Sequence, residues 1–334
     1  MKTNRIGLYG GTFNPIHYGH LNSIEAVAEK LELDKVYVVP TSQNPLKTKT
    51  EGPTAEERLA MAEIAIGTLG SETIEVSDIE VKRGGDSFTV DTLAELSDSD
   101  SEMFLILGGD NIHSFHQWKN FDDIIEKTHL VFTSRPGSEL PKTERGLPSW
   151  LKDRLADFDY DNGLFKSGKT LNFVQLDDVD ISATEIRRHA RRGLDVRKFT
   201  PPQVDDYIKE HQIYDRVGKK IPDFIQFTKE CAKILDDKGA INIQAFDVTN
   251  IEQPTDYTIV CSGTSSRHVL ALVDYVSQGI KDEYGVYPQG LEGMQDARWV
   301  VVDYGGLMIH VFYDFIRDEY QIEDLWREAK RIEL

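Results

Sequence analysis

Short apolar runs rich in β-branched and aromatic residues alternate with amphipathic segments from the start of the chain. The runs predict strands at 5–9, 35–40, 73–81, 103–107, 129–133 and 171–176. Between them, apolar residues three and four apart predict helices at 20–31, 54–69, 89–96 and 121–127. Strands spaced by helices call for an α/β fold with a mainly parallel, doubly wound sheet. Such sheets bind ligands beyond the carboxyl ends of their strands, so the residues just after each strand become candidates. A helix at 202–211 closes this pattern. The run Arg216-Val217-Gly218-Lys219-Lys220-Ile221-Pro222 then has the glycine, proline and charge of a linker. Placing the boundary near Gly218 divides the chain into domains 1–217 and 218–334. The pattern restarts after it. Helices are expected at 223–237, 266–283 and 315–329, and strands at 241–247, 257–261, 299–303 and 307–312, which make a second, small α/β domain.

A length of 334 residues suits two cores, and 40% hydrophobic residues suffice for both. No apolar run approaches the ~18 residues of a membrane span, so no membrane partner is expected. The first residues enter a strand without a signal-peptide pattern. Two cysteines, Cys231 and Cys261, make no disulfide framework. A cytoplasmic location fits these features. The net charge of -19 gives little non-specific attraction for nucleic acid, and no direct nucleic-acid binding is expected. Anionic substrates would need local positive pockets. The acidic run at 97–102 reads as a loop.

The first strand is followed by Gly10-Gly11-Thr12-Phe13-Asn14-Pro15-Ile16-His17-Tyr18-Gly19-His20. Two glycines at a strand end let backbone N–H groups approach a phosphate closely. His17 and His20 stand three apart where a helix begins, so their imidazoles can share a side and donate to phosphate oxygens beside the positive helix end. The same pair also fits a metal pair or a capping role, although no third His or Cys at ligand spacing stands nearby. Far downstream, Ile181-Ser182-Ala183-Thr184-Glu185-Ile186-Arg187-Arg188 follows a strand and the acidic turn Asp177-Asp178-Val179-Asp180. Ser182 with Glu185 fits a capping box. Ser182, Thr184 and Arg187 also put hydroxyls and a guanidinium at one helix start, which suits the β- and γ-phosphates of a nucleoside triphosphate.

The G-G-T-F-x-P-x-H-x-G-H run, paired with I-S-x-T-x-I-R, resembles the nucleotidylyl transferase superfamily. Within it, residues 5–214 resemble bacterial nicotinate mononucleotide adenylyltransferases. Ser87-Phe88-Thr89-Val90-Asp91-Thr92, Gly108-Gly109-Asp110, Trp118 and Arg135-Pro136-Gly137 continue the likeness in order. The resemblance implies a Rossmann-like sheet and transfer of the adenylyl group of ATP to nicotinate mononucleotide, giving deamido-NAD and pyrophosphate. Relatives use nicotinamide mononucleotide or pantetheine phosphate instead, so these are the alternative acceptors. It implies ATP contacts from Gly10, Gly11, Thr12, Phe13, His17, His20, Gly108, Asp110, Ser182, Thr184 and Arg187, with His17, His20 and Arg187 acting in catalysis. Lys47, Thr89, Trp118 and Arg135 would hold the mononucleotide. Mg²⁺ would be carried mainly by the substrate phosphates, with no protein metal site. Asn14 and Leu46 depart from the family, which usually has Asp and His there.

The second domain is acidic and aromatic-rich. Cys261 ends an apolar strand and reads as a buried, inert thiol. His310 lies inside an alternating strand and reads as structural. Ser265 reads as a helix N-cap. Tyr320 and Trp326 are either core residues or a docking face. The runs 256–269, 299–305 and 309–312 resemble the ribosomal silencing factor, or Iojap-like, family. That family has a small fold similar to nucleotidyltransferases. Its members bind the fourteenth protein of the large ribosomal subunit and block joining of the subunits. By that resemblance Trp299, Asp303 and Tyr304 are surface candidates. The other reading is a scaffold or dimerisation module.

Overall fold

The computed structural model describes residues 3–43, 45, 52–98, 100–134, 140–176, 181–191, 193–214, 221, 223–251, 253 and 255–334. The chain forms two compact units. One comprises Met1–Lys47, Pro53–Ile186 and Asp195–Tyr207; the other is built mainly from Ile208–Leu334, together with Arg187–Leu194. The expected boundary at Gly218 and the turn at 177–180 lie outside the described residues.

The first unit runs β1 (Asn4–Gly11), α1 (Tyr18–Lys30), β2 (Lys35–Pro40), α2 (Ala55–Gly67), β3 (Ile74–Val76), α3 (Ile79–Arg83), α4 (Thr89–Leu96) and β4 (Ser101–Gly108). It continues with α5 (Phe121–Lys127), β5 (Thr128–Thr133), α6 (Ser149–Lys152), β6 (Leu155–Asp159), β7 (Asn162–Phe165) and β8 (Thr170–Val174). Two helices follow, α7 (Ala183–Arg191) and α8 (Pro202–Glu210), each divided between the units, after Ile186 and after Tyr207. The sheet order is β3-β2-β1-β4-β5-β8-β7-β6. The pairings along β3-β2-β1-β4-β5-β8 are all parallel, and β7 alone runs against the sheet, antiparallel to both β8 and β6. From β1 the chain winds outward to β2 and β3, then crosses back to β4 on the other side. The topological switch therefore lies between β1 and β4. Both central strands are buried on two faces, which is why β4 reads as the unbroken apolar run Met103-Phe104-Leu105-Ile106-Leu107. The core joins Leu8, Leu105, Phe115, Leu130, Phe132, Trp150 and Phe173. Helix α2 starts at a reciprocal cap: the Glu57 N–H donates to Thr54 Oγ1 at 3.2 Å, and the Thr54 N–H to Glu57 Oε2 at 2.8 Å.

Three expectations are corrected here. The strand at 73–81 ends at Val76, and the rest turns into α3. The run at 97–102 is not all loop, because Ser101 and Glu102 already pair with β1. The strand at 171–176 stops at Val174.

In the second unit, α9 (Phe224–Asp237) is capped by Asp223, which accepts from the N–H groups of Ile225 and Gln226 at 2.8 and 3.1 Å. Strands β9 (Ile241–Asp247) and β10 (Tyr257–Gly263) precede α10 (Ser266–Tyr284), whose N-cap Ser265 accepts from the His268 N–H as expected. Then come β11 (Gly290–Glu292), β12 (Trp299–Asp303), β13 (Leu307–Tyr313), α11 (Asp314–Tyr320) and β14 (Lys330–Arg331), in a mixed sheet ordered β11-β12-β13-β10-β9-β14. Alternation divides the strands between two layers. Ile259, Cys261, Ile309 and Val311 face α9 and α10, packing on Phe227, Leu235, Val269 and Val276. Val260 and Phe312 face the opposite way, onto Ile316, Ile322 and Trp326. The expected helix at 315–329 breaks at Gln321, which takes φ 44°, and a 3₁₀ turn, Ile322–Trp326, follows.

Candidate active site

Because β1, β4, β5 and β8 are parallel, the residues after each share one edge of the sheet. The register pairs Tyr9 with Ile106; continued by two residues, it puts Gly11 level with Gly108 across the switch point. The two candidate glycine turns therefore flank one crevice. A Cβ at Gly10 would meet nothing within 4 Å, which leaves that backbone open to a ligand. A Cβ at Gly11 would fall 2.7 Å from Phe13 Cε1, because Phe13 folds back over the turn at φ 47° and is buried. Beyond β4, Asn111 Nδ2 donates to the Gly108 carbonyl at 3.1 Å, shaping the turn that presents the exposed Asp110.

His17 is the N-cap of α1, and its extended backbone (φ -150°, ψ 170°) aims its N–H at His20. That N–H donates to His20 Nδ1 at 3.2 Å. A ring nitrogen that accepts a backbone proton is unprotonated, so the geometry assigns the neutral His20 proton to Nε2. The two rings stack with centroids 3.7 Å apart and an interplanar angle of 26°. Phe13 meets the His20 ring edge-on at 5.2 Å. Gly19 makes this possible: a Cβ there would stand 3.1 Å from His17 Nδ1. The loop is held from behind by distant sequence. Tyr18 N–H donates to the Phe199 carbonyl at 2.9 Å, and Thr200 Oγ1 donates to the Ile16 carbonyl at 2.8 Å. The structure thus brings Gly10, Gly11, Thr12, Phe13, His17 and His20 together in one turn.

Ser182 and Thr184 begin α7, and Ser182 is exposed. Its carbonyl accepts from the Ile186 N–H at 3.1 Å, the first bond of that helix. Arg187 lies one turn further along α7. Thr89 opens α4, half-buried, while Trp118 packs on Phe115 with centroids 5.1 Å apart. Lys119 joins these two segments, pairing with Asp91 at 3.1 Å and lying 4.3 Å over the Phe88 ring. Lys47, Leu46 and Arg135 lie outside the described residues. Among the described residues, no three His, Cys, Asp or Glu side chains form a group able to hold a metal ion.

One residue that sequence reasoning passed over stands at the centre of this region. Arg58, on α2, is only 6% exposed. Its Nη1 donates to the Thr12 carbonyl at 2.8 Å and its Nη2 to the Ser42 carbonyl at 2.9 Å. In the sequence it is an ordinary basic residue in a helical run, and only its burial marks it out.

The second unit divides its candidates. Tyr304 is fully buried against Phe227, with centroids 5.2 Å apart, so it belongs to the core and not to a surface. Asp303 is also buried and accepts the Gly305 N–H at 2.6 Å, which makes it a turn-former. Both depart from the surface role expected of them: Tyr304 packs on Phe227 of α9, and Asp303 faces Arg191 Nη1 at 3.6 Å. Trp299 remains half-buried, stacked on Phe312 at 4.9 Å and next to Tyr320 at 5.3 Å. Tyr320 is 60% exposed, whereas Trp326 is buried. Cys231 and Cys261 are free and buried, and burial pushes the Cys261 thiol up to about 12, which leaves it inert. Burial lowers His310 to about 4, and its Nδ1 accepts from Trp299 Nε1 at 3.3 Å, so it is a neutral, structural side chain. No helix among the described residues is long and apolar enough to cross a membrane.

With this geometry in place, two family matches divide the chain: residues 8–189 match the Cytidylyltransferase-like family, and residues 222–334 match Ribosomal silencing factor during starvation. A probable nicotinate-nucleotide adenylyltransferase of Desulfatibacillum aliphaticivorans is 35% identical over 216 residues, covering 63% of this chain and 99% of the relative. Another, from Geotalea daltonii, is 37% identical over 214 residues, covering 63% and 98%. The solved nicotinic acid mononucleotide adenylyltransferase of Plasmodium falciparum covers 64% of this chain and 98% of its own, at 20% identity and a TM-score of 0.48.

Proposed function

Because the chain belongs to the cytidylyltransferase-like family and, within it, to the nicotinate-nucleotide adenylyltransferases, we propose that its larger unit joins the adenylyl group of ATP to nicotinate mononucleotide. The products are deamido-NAD and pyrophosphate. The observation that carries this reading is the pairing of two glycine turns across the β1/β4 switch point, with the His20 Nε2 proton set by the His17 backbone. In the reaction a phosphate oxygen of the mononucleotide forms a bond to the α-phosphorus of ATP. The bond from that phosphorus to the oxygen bridging to the β-phosphorus breaks, and its electron pair leaves on pyrophosphate. Such transfer needs alignment and neutralisation of charge more than a protein nucleophile.

In this reading His17 and His20 donate to the phosphate oxygens where charge builds. The Gly10–Phe13 turn offers backbone N–H groups, and Gly108 and Asp110 lie by the adenosine ribose. Ser182, Thr184 and Arg187 hold the triphosphate tail at the positive end of α7. Thr89 and Trp118 frame the pyridine ring, and Lys47 and Arg135 complete the mononucleotide side. The ATP phosphates would carry Mg²⁺, whose positive charge would help neutralise the departing pyrophosphate. Pyrophosphate release from ATP, measured with nicotinate mononucleotide, nicotinamide mononucleotide and pantetheine phosphate in turn, tests activity and acceptor together. Release is expected to be fastest with nicotinate mononucleotide, and no release with any acceptor would overturn the reading.

For the smaller unit we propose binding to the large ribosomal subunit, through its fourteenth protein, in a way that blocks subunit joining. Its match to the ribosomal silencing factors supports this. So does the exposed Tyr320 beside Trp299 on a segment carrying the exposed acids Asp314, Asp318 and Glu319, an acidic and aromatic stretch suited to a basic partner. Co-sedimentation of the full chain with purified large subunits is expected at low salt. Its absence would favour a scaffold role.

A further inference from the structure

The adenylyl transfer brings two substrates to opposite sides of one crevice, and a hydrogen-bonded path joins those sides. On the ATP side, the Thr12 carbonyl in the glycine turn accepts from Arg58 Nη1 at 2.8 Å. The other arm of the same guanidinium reaches the Ser42 carbonyl, just past β2, at 2.9 Å. Ser42 N–H donates to Ser87 Oγ at 2.9 Å, and Ser87 N–H donates back to the Gln43 carbonyl at 2.8 Å. Ser87 stands two residues before Thr89, where α4 opens on the mononucleotide side. A second strand-end contact runs alongside, from the Thr41 N–H to the Gly11 carbonyl at 2.9 Å.

We propose that Arg58 is a positioning residue that sets the spacing between the ATP-holding turn after β1 and the mononucleotide-holding start of α4; this rests on the adenylyltransferase reading above. The guanidinium suits the task because it is a rigid planar fork, able to span two carbonyls at a defined separation. An ammonium is a single point and spans them poorly. In-line attack is sensitive to displacement of one reactant against the other, more than to the affinity of either alone. Arg58 thus acts on kcat through the alignment of two separately bound substrates.

Steady-state kinetics of the full chain, with both substrates varied and thermal melting measured alongside, tests this. Arg58→Lys is expected to lower kcat by roughly tenfold or more while each KM stays within about threefold. Ser87→Ala breaks the next link without disturbing a buried charge and is expected to show the same split, more weakly. A purely structural role would instead lower the melting temperature and leave kcat of the folded protein intact. Kcat within about twofold of the parent in both folded variants, or losses confined to KM, would overturn the inference while the adenylyltransferase reading stands. Should Arg58→Lys not fold, Ser87→Ala decides on its own. A parent chain inactive with every acceptor would overturn both together.

Discussion

The backbone N–H of His17 donates to Nδ1 of His20, and the two imidazoles lie stacked 3.7 Å apart. One residue thus sets both the tautomer and the orientation of the other. The His20 ring also lies against Phe13 and Tyr9, with centroids 5.2 and 6.3 Å away. If His20 donates to phosphate as proposed, a ring held in this way needs little reorganisation as charge develops.

His20→Ala is accordingly expected to lower kcat by about 10²-fold or more, the scale of losing one preorganised donor. Pyrophosphate release with saturating ATP and nicotinate mononucleotide measures it. Near-normal turnover would remove His20 from the chemistry.

Gly19→Ala separates stability from activity. Within a helix the change is ordinarily stabilising by about 0.4–1 kcal/mol. Here the new Cβ would press on His17 at 3.1 and 3.2 Å, so the stacked pair must shift by a few tenths of an ångström. The expected outcome is an unchanged or raised melting temperature with kcat down by roughly tenfold. Unchanged kcat would show that the stacking does not matter to the reaction.

Stability should fall in mild acid. Burial lowers His310 to about 4, and burial together with Lys169 lowers His129 to about 4, both from an ordinary 6.5. Below pH 6.5 the unfolded chain takes up protons that the folded chain refuses, so stability present above 6.5 is lost as the pH drops towards 4. Each histidine contributes a slope of up to roughly 1.4 kcal/mol per pH unit in that window. Melting curves between pH 4 and 7 read it out, and His310→Gln should flatten the slope of the second unit. An undiminished slope would refute the assignment.

Tyr320 and Tyr304 should respond in opposite ways. Tyr320 is 60% exposed, so Tyr320→Ala is expected to change stability by no more than about 0.5 kcal/mol while weakening co-sedimentation with large ribosomal subunits. Tyr304 is buried against Phe227, and Tyr304→Ala should cost about 3–5 kcal/mol. Equal destabilisation by the two substitutions would contradict this division of core from surface.

Much of the fold was legible in the chain because its signals are local. The unbroken apolar run of β4, the cap signature at Thr54 and Glu57, and the helical spacing at Thr89–Leu96 each act within a few residues. The hairpin of β6 and β7 went unread. Its strands are short and partly exposed, and β7 exists as a sheet member through its pairing with β8. The break at Gln321 was equally hidden, since a helical pattern runs straight across it, and only the packing of Ile322 and Trp326 on the sheet explains the left-handed turn.

The site divides in the same way. Gly10, Gly11, His17, Gly19 and His20 are neighbours in the chain, so their spacing alone suggested a phosphate-binding turn, and resemblance then chose it over a metal pair or a capping role. Which residues hold that turn in place was decided by tertiary structure: Arg58 reaches two loops from another helix, and Phe199 and Thr200 brace it from far downstream. Burial settled Asp303 and Tyr304 as interior and Tyr320 as surface. Local spacing is a property of the chain, whereas contact between distant segments and exclusion from water exist only after the layers have packed.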